Sequence, residues 1–338
     1  WYTMTAAHNT VVVDGRNQHT SAGRTTLWAD GDQFRVIRAS SFLENPRVRG
    51  DQSKKGSRGL RPLGAGLIDG QQFERTAAMV DISDRDFYVV DVFRVVGGTD
   101  HAKFMHSHFS QIATQGLSLK PTDDYGHETQ MRNFHFDPSP EPGWSVDWKI
   151  EDRYRLLPYD ADIHLRYTDL TTDAQAFTCE AWISPGGYDA DQGIWIPRVM
   201  VRRQSRDEPL ASTFVSIIEP YEGAPKIINA RRLPLKTLDG KAYPEPNVAI
   251  EIQHEDGTRD LFVAVDVENP LGLAPSRPGR RVIVQPEWGL RLDGEICMVR
   301  INKAGEVQCV YVCRGSSVRI GGVVIKLKKD SAANIFWR

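Results

Sequence analysis

Short apolar runs recur from one end of the chain to the other, and they limit the fold more than any other feature. The runs are rich in Val, Ile, Phe and Tyr, and Gly, Asp, Asn and Pro separate them. This pattern is typical of β-strands in an antiparallel sandwich. Clear examples are Thr10–Asp14, Phe34–Arg38, Phe87–Val96, Phe177–Ile183, Ile194–Arg203 and Ser212–Tyr221.

Helical patterns are nearly absent from the sequence. The best candidate is Ser331–Phe336, which predicts one turn at most because it carries no capped apolar stripe of helical length. Two loops predict tight hairpin turns with a left-handed glycine, Lys303–Gly305 and Asp256–Gly257. We therefore predict an all-β protein, a large antiparallel β-sandwich of the supersandwich type with little helix.

The length of 338 residues fits one large domain or two closely packed ones. We treat 1–338 as one β-sandwich unit with two packed sub-parts, a main sandwich over 1–225 and a C-terminal sheet over 226–338. The first residue is Trp1, and no signal sequence follows it. We expect that an earlier segment was removed or belongs to another part of the polypeptide.

Charge and hydropathy exclude several classes of partner. The chain has 42 Lys and Arg against 44 Asp and Glu, a net charge of −2. Such a balance gives no overall attraction to nucleic acid or to an anionic membrane. No apolar run reaches the roughly 18 residues that a membrane span requires. We expect neither a nucleic-acid nor a membrane partner.

The four cysteines do not define a disulfide framework or a zinc ribbon. Cys309 and Cys313 lie four apart in one predicted strand, which places them on the same face but too far apart for a bridge. Buried free thiols are favoured, and a bridge between Cys297 and Cys309 stays open as the alternative. The redox compartment is therefore not decided by the sequence.

A long basic segment interrupts the strand pattern at Asn45–Gly70. Arg47, Arg49 and Arg58 lie in this segment, and arginine binds carboxylate or sulfate groups with two parallel hydrogen bonds. We name these three residues as candidate substrate-binding groups for an anionic glycan. A solvated loop or a subunit contact is the alternative.

A second irregular stretch, Pro121–Trp148, mixes Pro, Asp, His and aromatic residues without a period, and it predicts a long functional loop. Aromatic side chains in irregular segments are candidates for stacking on sugar rings. The candidates are Trp28, Tyr125, Trp144, Trp148 and Tyr188.

Three strings resemble a known family when they are taken in order. These are AAHNTVVVDGRNQ (Ala6–Gln18), RTAAMVDISDRDFYVVDVFRVVGGTDHAKFMHS (Arg75–Ser107) and TFVSIIEPYEGAPKI (Thr213–Ile227). They resemble the C-terminal β-domain of the heparinase II/III-like polysaccharide lyases. The resemblance implies β-elimination of an acidic, uronic-acid-containing polysaccharide such as a glycosaminoglycan or alginate, in the periplasm or outside the cell. It also implies an N-terminal α/α-toroid domain, absent from this sequence, that carries the tyrosine acid/base.

The resemblance assigns the site to a few residues. His8 is the candidate catalytic residue, facing a cleft between the two domains, where it would neutralise the substrate carboxylate. Asn9 is a candidate substrate-binding residue, with a turn or backbone-bonding role as its alternative. Some family members bind zinc through two histidines and one aspartate. His106 is the candidate ligand, with His8 or Asp30 as co-ligand, and ordinary polar histidines are the alternative.

The chemistry explains why such a domain contributes to catalysis. Elimination removes a weakly acidic proton beside a uronate carboxylate, so groups that neutralise this carboxylate stabilise the transition state. Two other functions stay open. One is a carbohydrate-binding or scaffold module without chemistry, and the other is a glycoside hydrolase that uses two carboxylates. A homo-oligomer is also open.

Overall fold

A computed structural model describes residues 1–18, 23–41, 72–183, 194–206, 209–268, 282–328 and 333–338. Within these residues nearly every regular element is a β-strand, and the strands form four antiparallel sheets. The helical content of this part is one short 3-10 helix, Thr5–Ala7. The prediction of an all-β sandwich with little helix is confirmed.

The strands follow one another closely along the chain. In order they are β1 (Val11–Val13), β2 (Gly23–Asp30), β3 (Phe34–Ser41), β4 (Gln72–Asp81), β5 (Phe87–Val96), β6 (Asp100–His106), β7 (Ser110–Gln115), β8 (Lys120–Pro121), β9 (Met131–Asp137), β10 (Ser145–Ile150), β11 (Ile163–Asp169), β12 (Gln175–Ile183), β13 (Ile194–Gln204), β14 (Ala211–Glu222), β15 (Ile227–Arg232), β16 (Val248–His254), β17 (Arg259–Ala264), β18 (Val282–Gln285), β19 (Leu290–Asp293), β20 (Ile296–Ile301), β21 (Val307–Gly315), β22 (Ser317–Ile320), β23 (Val323–Lys326) and β24 (Ala333–Trp337).

The four sheets have a simple order. Sheet A runs β1-β6-β13-β12-β9-β8, and sheet B runs β2-β3-β4-β5-β14-β11-β10-β7. Sheet C runs β15-β16-β17-β20-β21-β24, and sheet D runs β18-β19-β22-β23. No helix in the described residues is long and apolar enough to cross a membrane.

Three apolar cores join the sheets into a four-layered stack. Phe93, Trp148 and Val199 belong to the core between sheets A and B. Phe34 and Phe262 belong to the core between sheets B and C. A third core fills the space between sheets C and D, and a fourth cluster covers the outer face of sheet A. Because the inner sheets are buried on both faces, their central strands read as continuous apolar runs.

The predicted sub-parts correspond to different sheets. The strands of sheets A and B end at Glu222, and those of sheets C and D begin at Ile227. The core between sheets B and C nevertheless contains residues from both sides of this point. The division at 225 and 226 as a domain boundary therefore stays a prediction.

Both hairpin turns read from the sequence are confirmed. Gly305 lies between β20 and β21 with φ +84°, and Gly257 lies between β16 and β17 with φ +87°. Positive φ is accessible to glycine because it has no Cβ.

Two predicted segments are corrected by the structure. Ala333–Trp337 forms β24 and pairs with β21, so the helical turn predicted for Ser331–Phe336 is wrong. Ile335 is buried in the core between sheets C and D, which favours a strand here. The stretch Pro121–Trp148 is not one long loop, because it contains β9 and β10.

The cysteine alternatives are also decided. All four cysteines are free and buried. Cys309 and Cys313 lie in the core between sheets B and C, whereas Cys297 lies in the core between sheets C and D. Because Cys297 and Cys309 point to opposite faces of sheet C, a bridge between them does not form.

Candidate functional site

The outer face of sheet A carries a row of chemically active side chains. His106 on β6 is the register partner of Arg198 on β13, and Arg198 is the partner of Cys179 on β12. Register partners in antiparallel strands project to the same side of the sheet. The row therefore shares its face with Phe104 and Met200, which belong to the outer apolar cluster.

Arg198 is a buried cation, with 1% of its surface exposed. Its Nη2 donates to the backbone carbonyl of His8 at 3.0 Å. The guanidinium lies 5.0 Å from the ring of Phe104 and 5.9 Å from that of Trp1. Burial lowers the pKa of Arg198 to about 10, and Cys179 offsets this only in part.

No carboxylate within the described residues pairs with Arg198, and its Nε is buried there without a hydrogen-bond partner. Other buried arginines of this chain have such partners, as Arg94 has in Glu74 at 2.8 Å. Buried charges are usually paired because an unpaired one is costly to desolvate. Within the part of the chain that the structure describes, Arg198 thus contributes a positive charge that no carboxylate pairs.

His106 lies beside Arg198, and the charge of Arg198 affects the pKa of its imidazole. Burial, followed by the positive charges of Arg198 and His8, lowers the pKa of His106 to about 4. The imidazole is therefore neutral at neutral pH. Its Nδ1 is buried and has no partner in the described part of the chain.

His8 lies at the surface above this row. It follows the 3-10 helix Thr5–Ala7 directly and is exposed. Its Nε2 lies 3.0 Å from the carbonyl oxygen of Tyr2, so this nitrogen carries the proton and donates it. The backbone carbonyl of His8 holds Arg198 at the same time. One hydrogen bond thus holds the imidazole of His8 and another holds its backbone.

Asn9 ties this segment to β6. Its Nδ2 donates to the carbonyl of His106 at 3.1 Å, and its Oδ1 accepts the N–H of His106 at 2.9 Å. Arg75 donates to the carbonyl of Asn9 at 3.0 Å, and Arg75 itself is held by Asp91. Asn9 therefore has a backbone-bonding role, and its contact with substrate stays a prediction.

The proposed metal ligands are only partly brought together. His106 and His8 are close enough for their charges to interact. Asp30 ends β2 in sheet B and pairs with Arg35 at 3.5 Å, away from the row on sheet A. Among the residues that the structure describes, no group of three His, Cys, Asp or Glu side chains is arranged for a metal. Zinc binding stays a prediction.

The remaining candidates for glycan binding are the aromatic residues and the arginines of the basic segment. Tyr125, Trp144 and Trp148 are buried, so they stabilise cores and do not form sugar platforms. Trp28 is 65% exposed on β2, away from the row on sheet A. Arg47, Arg49, Arg58 and Tyr188 lie outside the described residues.

Arg198 is the residue that sequence reasoning missed. It lies within the apolar run of β13, between Ile196 and Met200 on the same face of the strand. An arginine at a position where the alternation predicts a buried apolar residue could have identified this site, because charged residues are rarely buried and their burial is costly.

Fold and site together define a four-layered antiparallel β-sandwich with a buried cation on the outer face of sheet A. No protein-family model matches the chain. No curated protein matches it either.

Solved structures give a distant likeness. Heparan sulfate lyase HepC from Pedobacter heparinus is 13% identical, with a TM-score of 0.45, over 82% of this chain and 32% of that one. A heparinase III gene product is 13% identical, with a TM-score of 0.43, over 75% of this chain and 29% of that one. The chain spans about a third of the length of these proteins.

Proposed function

We propose that this chain is the β-sandwich part of a polysaccharide lyase that cleaves an acidic, uronic-acid-containing polysaccharide by β-elimination. The observation that carries the proposal is the buried Arg198, which has no carboxylate partner in the described residues and lies directly beneath His8. The strings around His8, His106 and Ile217, which resemble the heparinase II/III-like lyases, support it.

The proposed role of the site is to neutralise the uronate carboxylate. His8 is exposed, and with its Nε2–H bonded to Tyr2 it would donate to the carboxylate through Nδ1 when the imidazole is charged. Arg198 is covered by the segment Trp1–Asn9 and would act through its positive field in a poorly screened environment. Both effects favour the enolate-like transition state, in which negative charge on the carboxylate increases.

The remaining parts of the reaction are assigned to a second domain. In this proposal an α/α-toroid preceding Trp1 supplies the base that removes the proton and the acid that protonates the leaving oxygen. Export to the periplasm or beyond the cell follows from the size of the substrate. The reading frame upstream of Trp1 tests this part, since a long series of helical hairpins is expected there.

The catalytic proposal is tested in the polypeptide that contains both domains. Turnover of a glycosaminoglycan or alginate creates an unsaturated uronate that absorbs in the near ultraviolet. We expect His8→Ala and Arg198→Met each to lower kcat by about 10²-fold to 10³-fold, as loss of an oxyanion-stabilising group does. Arg198→Lys keeps the charge and should retain more activity than Arg198→Met.

Arg202→Met is the matched control, because Arg202 lies on the same strand and face but is paired with Asp100 at 2.9 Å. It should leave kcat within a few-fold of the parent. Unchanged kcat in His8→Ala and Arg198→Met, with the fold intact, would contradict the proposal. Binding of the polysaccharide without turnover in the two-domain protein would favour the carbohydrate-binding module.

A further inference from the structure

A group of aromatic and polar side chains lies at the end of β12 and β13, next to the segment that carries His8. Trp182 and Trp195 are register partners on these strands, and both are half-buried. The ring of Tyr2 lies 5.7 Å from that of Trp182, and Trp1 donates its indole N–H to the carbonyl of Trp182 at 2.8 Å. Alternation along β12 and β13 places these indole rings on the face of sheet A opposite Arg198. Tyr2 links the two groups around the end of the sheet, because its ring contacts Trp182 and its carbonyl accepts from His8.

Polar groups border the two indole rings. The guanidinium of Arg132 lies 4.0 Å from the centre of the Trp195 ring. Glu180 accepts a hydrogen bond from Arg132 at 2.9 Å and one from Asn133 at 2.8 Å, both through Oε2. With 47% of Arg132 and 37% of Glu180 exposed, these groups can reach solvent. Oε1 of Glu180 is then available to accept from a hydroxyl group.

The backbone here departs from a regular ladder. The register between β9 and β12 shifts between Thr178 and Glu180, and Asn133 has φ +56°. A β-bulge re-aims neighbouring side chains and is common beside functional sites. Here the bulge accompanies the placement of Arg132 and Asn133 on the same carboxylate, so the polar border of the indole rings is formed without a ligand.

We propose that Trp182, Trp195, Arg132, Asn133 and Glu180 form a subsite for a pyranose ring of the polysaccharide. This inference rests on the proposed function and places a sugar at the end of β12 and β13, separated from the uronate at His8 by the segment that carries Tyr2. The faces of pyranose rings present C–H groups that pack on indole, while fixed carboxylate and amide groups bind their hydroxyls. The ion pair between Arg132 and Glu180 makes the patch nearly neutral, which suits a sugar hydroxyl face better than a second carboxylate.

Binding by the 338-residue chain tests the subsite. Glucuronate and hexasaccharides of a glycosaminoglycan and of alginate are titrated by calorimetry. We expect a hexasaccharide to bind more tightly than glucuronate, and Trp195→Leu to remove roughly tenfold of that gain, since an aromatic contact contributes about this much. Trp195→Phe should retain most of it, and Glu180→Gln should weaken the hexasaccharide but not glucuronate.

Trp288→Leu is the matched control. Trp288 also has an arginine near its ring, Arg259 at 5.3 Å, and donates to Glu251 at 2.8 Å, but it lies against the core between sheets C and D. This variant should leave hexasaccharide binding unchanged. Near-ultraviolet circular dichroism establishes that each variant is folded.

The outcomes separate the two proposals. If Trp195→Leu and Glu180→Gln both keep the full hexasaccharide gain while Arg198→Met loses glucuronate binding, the subsite is refuted and the proposed function stands. If no hexasaccharide binds more tightly than glucuronate, the subsite is refuted, and the proposed function is decided separately by turnover in the two-domain polypeptide. A loss of hexasaccharide affinity that is equal in Trp195→Leu and Trp288→Leu also overturns the subsite, because it reports a general destabilisation.

Discussion

Arg198 shows which part of the candidate site the sequence predicts and which part only the fold reveals. The string beginning at His8 predicts a functional histidine, and the structure places that histidine at the surface, above Arg198. The string alone does not reveal Arg198, because its partnership depends on which strands become neighbours across sheet A. Residues 198 and 8 are far apart in sequence, and only the tertiary fold joins them.

His106 provides a test at the residue scale through its response to pH. Its pKa falls from the ordinary 6.5 to about 4 in the folded chain, first because of burial. The unfolded chain therefore takes up a proton at a higher pH than the folded chain does. The stability that neutral His106 contributes is fully present above pH 6.5 and is lost as the pH falls towards 4, by about 3 kcal/mol in total.

We expect His106→Gln to make the free energy of unfolding less dependent on pH between 6.5 and 4. Urea unfolding at several pH values, with a chelator present to exclude metal, gives the measurement. His108→Gln replaces an exposed histidine two residues away and should keep the parent slope. An unchanged slope in His106→Gln would show that this imidazole is not desolvated.

At the scale of elements, the pairing of β1 with β6 explains why two of the resembling strings occur together. Asn9 bonds the backbone of His106 at one end of this pair. At the other end Asp14 accepts hydrogen bonds from the N–H groups of Thr99 and Asp100, at 2.9 and 3.0 Å. The VDG and GGTDH motifs are therefore two halves of one contact, which alternation alone does not predict.

Gly98 shows how closely these two motifs fit, and it yields a prediction. It has φ +64°, and a Cβ at this position would lie 2.5 Å from Oδ2 of Asp14. Gly98→Ala should therefore lower the free energy of unfolding by the left-handed penalty of about 1–2 kcal/mol plus the cost of displacing Asp14. Chemical denaturation of the variant measures the sum.

Gly223→Ala separates the two contributions. Gly223 has φ +74°, and no atom lies within 4 Å of an added Cβ. It should show only the left-handed penalty, so the difference between the two variants is the steric part. Equal losses in both variants would contradict the close contact between Gly98 and Asp14.

The irregular strand β9 shows where pattern reasoning fails at this scale. Its burial follows no period of two, because Met131, Phe134 and Asp137 are the buried positions. Asn133 in the left-handed region shifts the alternation in the middle of the strand. The sequence of this stretch therefore resembles a loop, although it is paired with β12 over most of its length.

For the whole molecule, the stacking of sheets B and C decides whether the two predicted sub-parts act independently. Asp260 on sheet C receives two hydrogen bonds from Arg300, both at 2.7 Å, and one from Tyr88 of sheet B at 2.8 Å. Arg300 also donates to the carbonyl of Asp81 on sheet B at 2.9 Å. Burial raises the pKa of Asp260, but the hydrogen bonds and charges of Arg300 and His254 outweigh it and lower this pKa to about 2. A polar network thus joins the sheets within their shared apolar core.

We therefore expect the chain to unfold as one cooperative unit, although its sheets divide near residue 225. Asp260→Asn would leave Arg300 without its carboxylate in the buried interface and should cost about 3–5 kcal/mol. The loss should appear equally in both halves, because each half covers an apolar face of the other. Hydrogen exchange at low denaturant, followed for peptides of β14 in sheet B and β20 in sheet C, reads the two halves separately. Coincident exchange that accelerates together in Asp260→Asn supports one unit, whereas early exchange of β20 with β14 still protected would establish two independent domains.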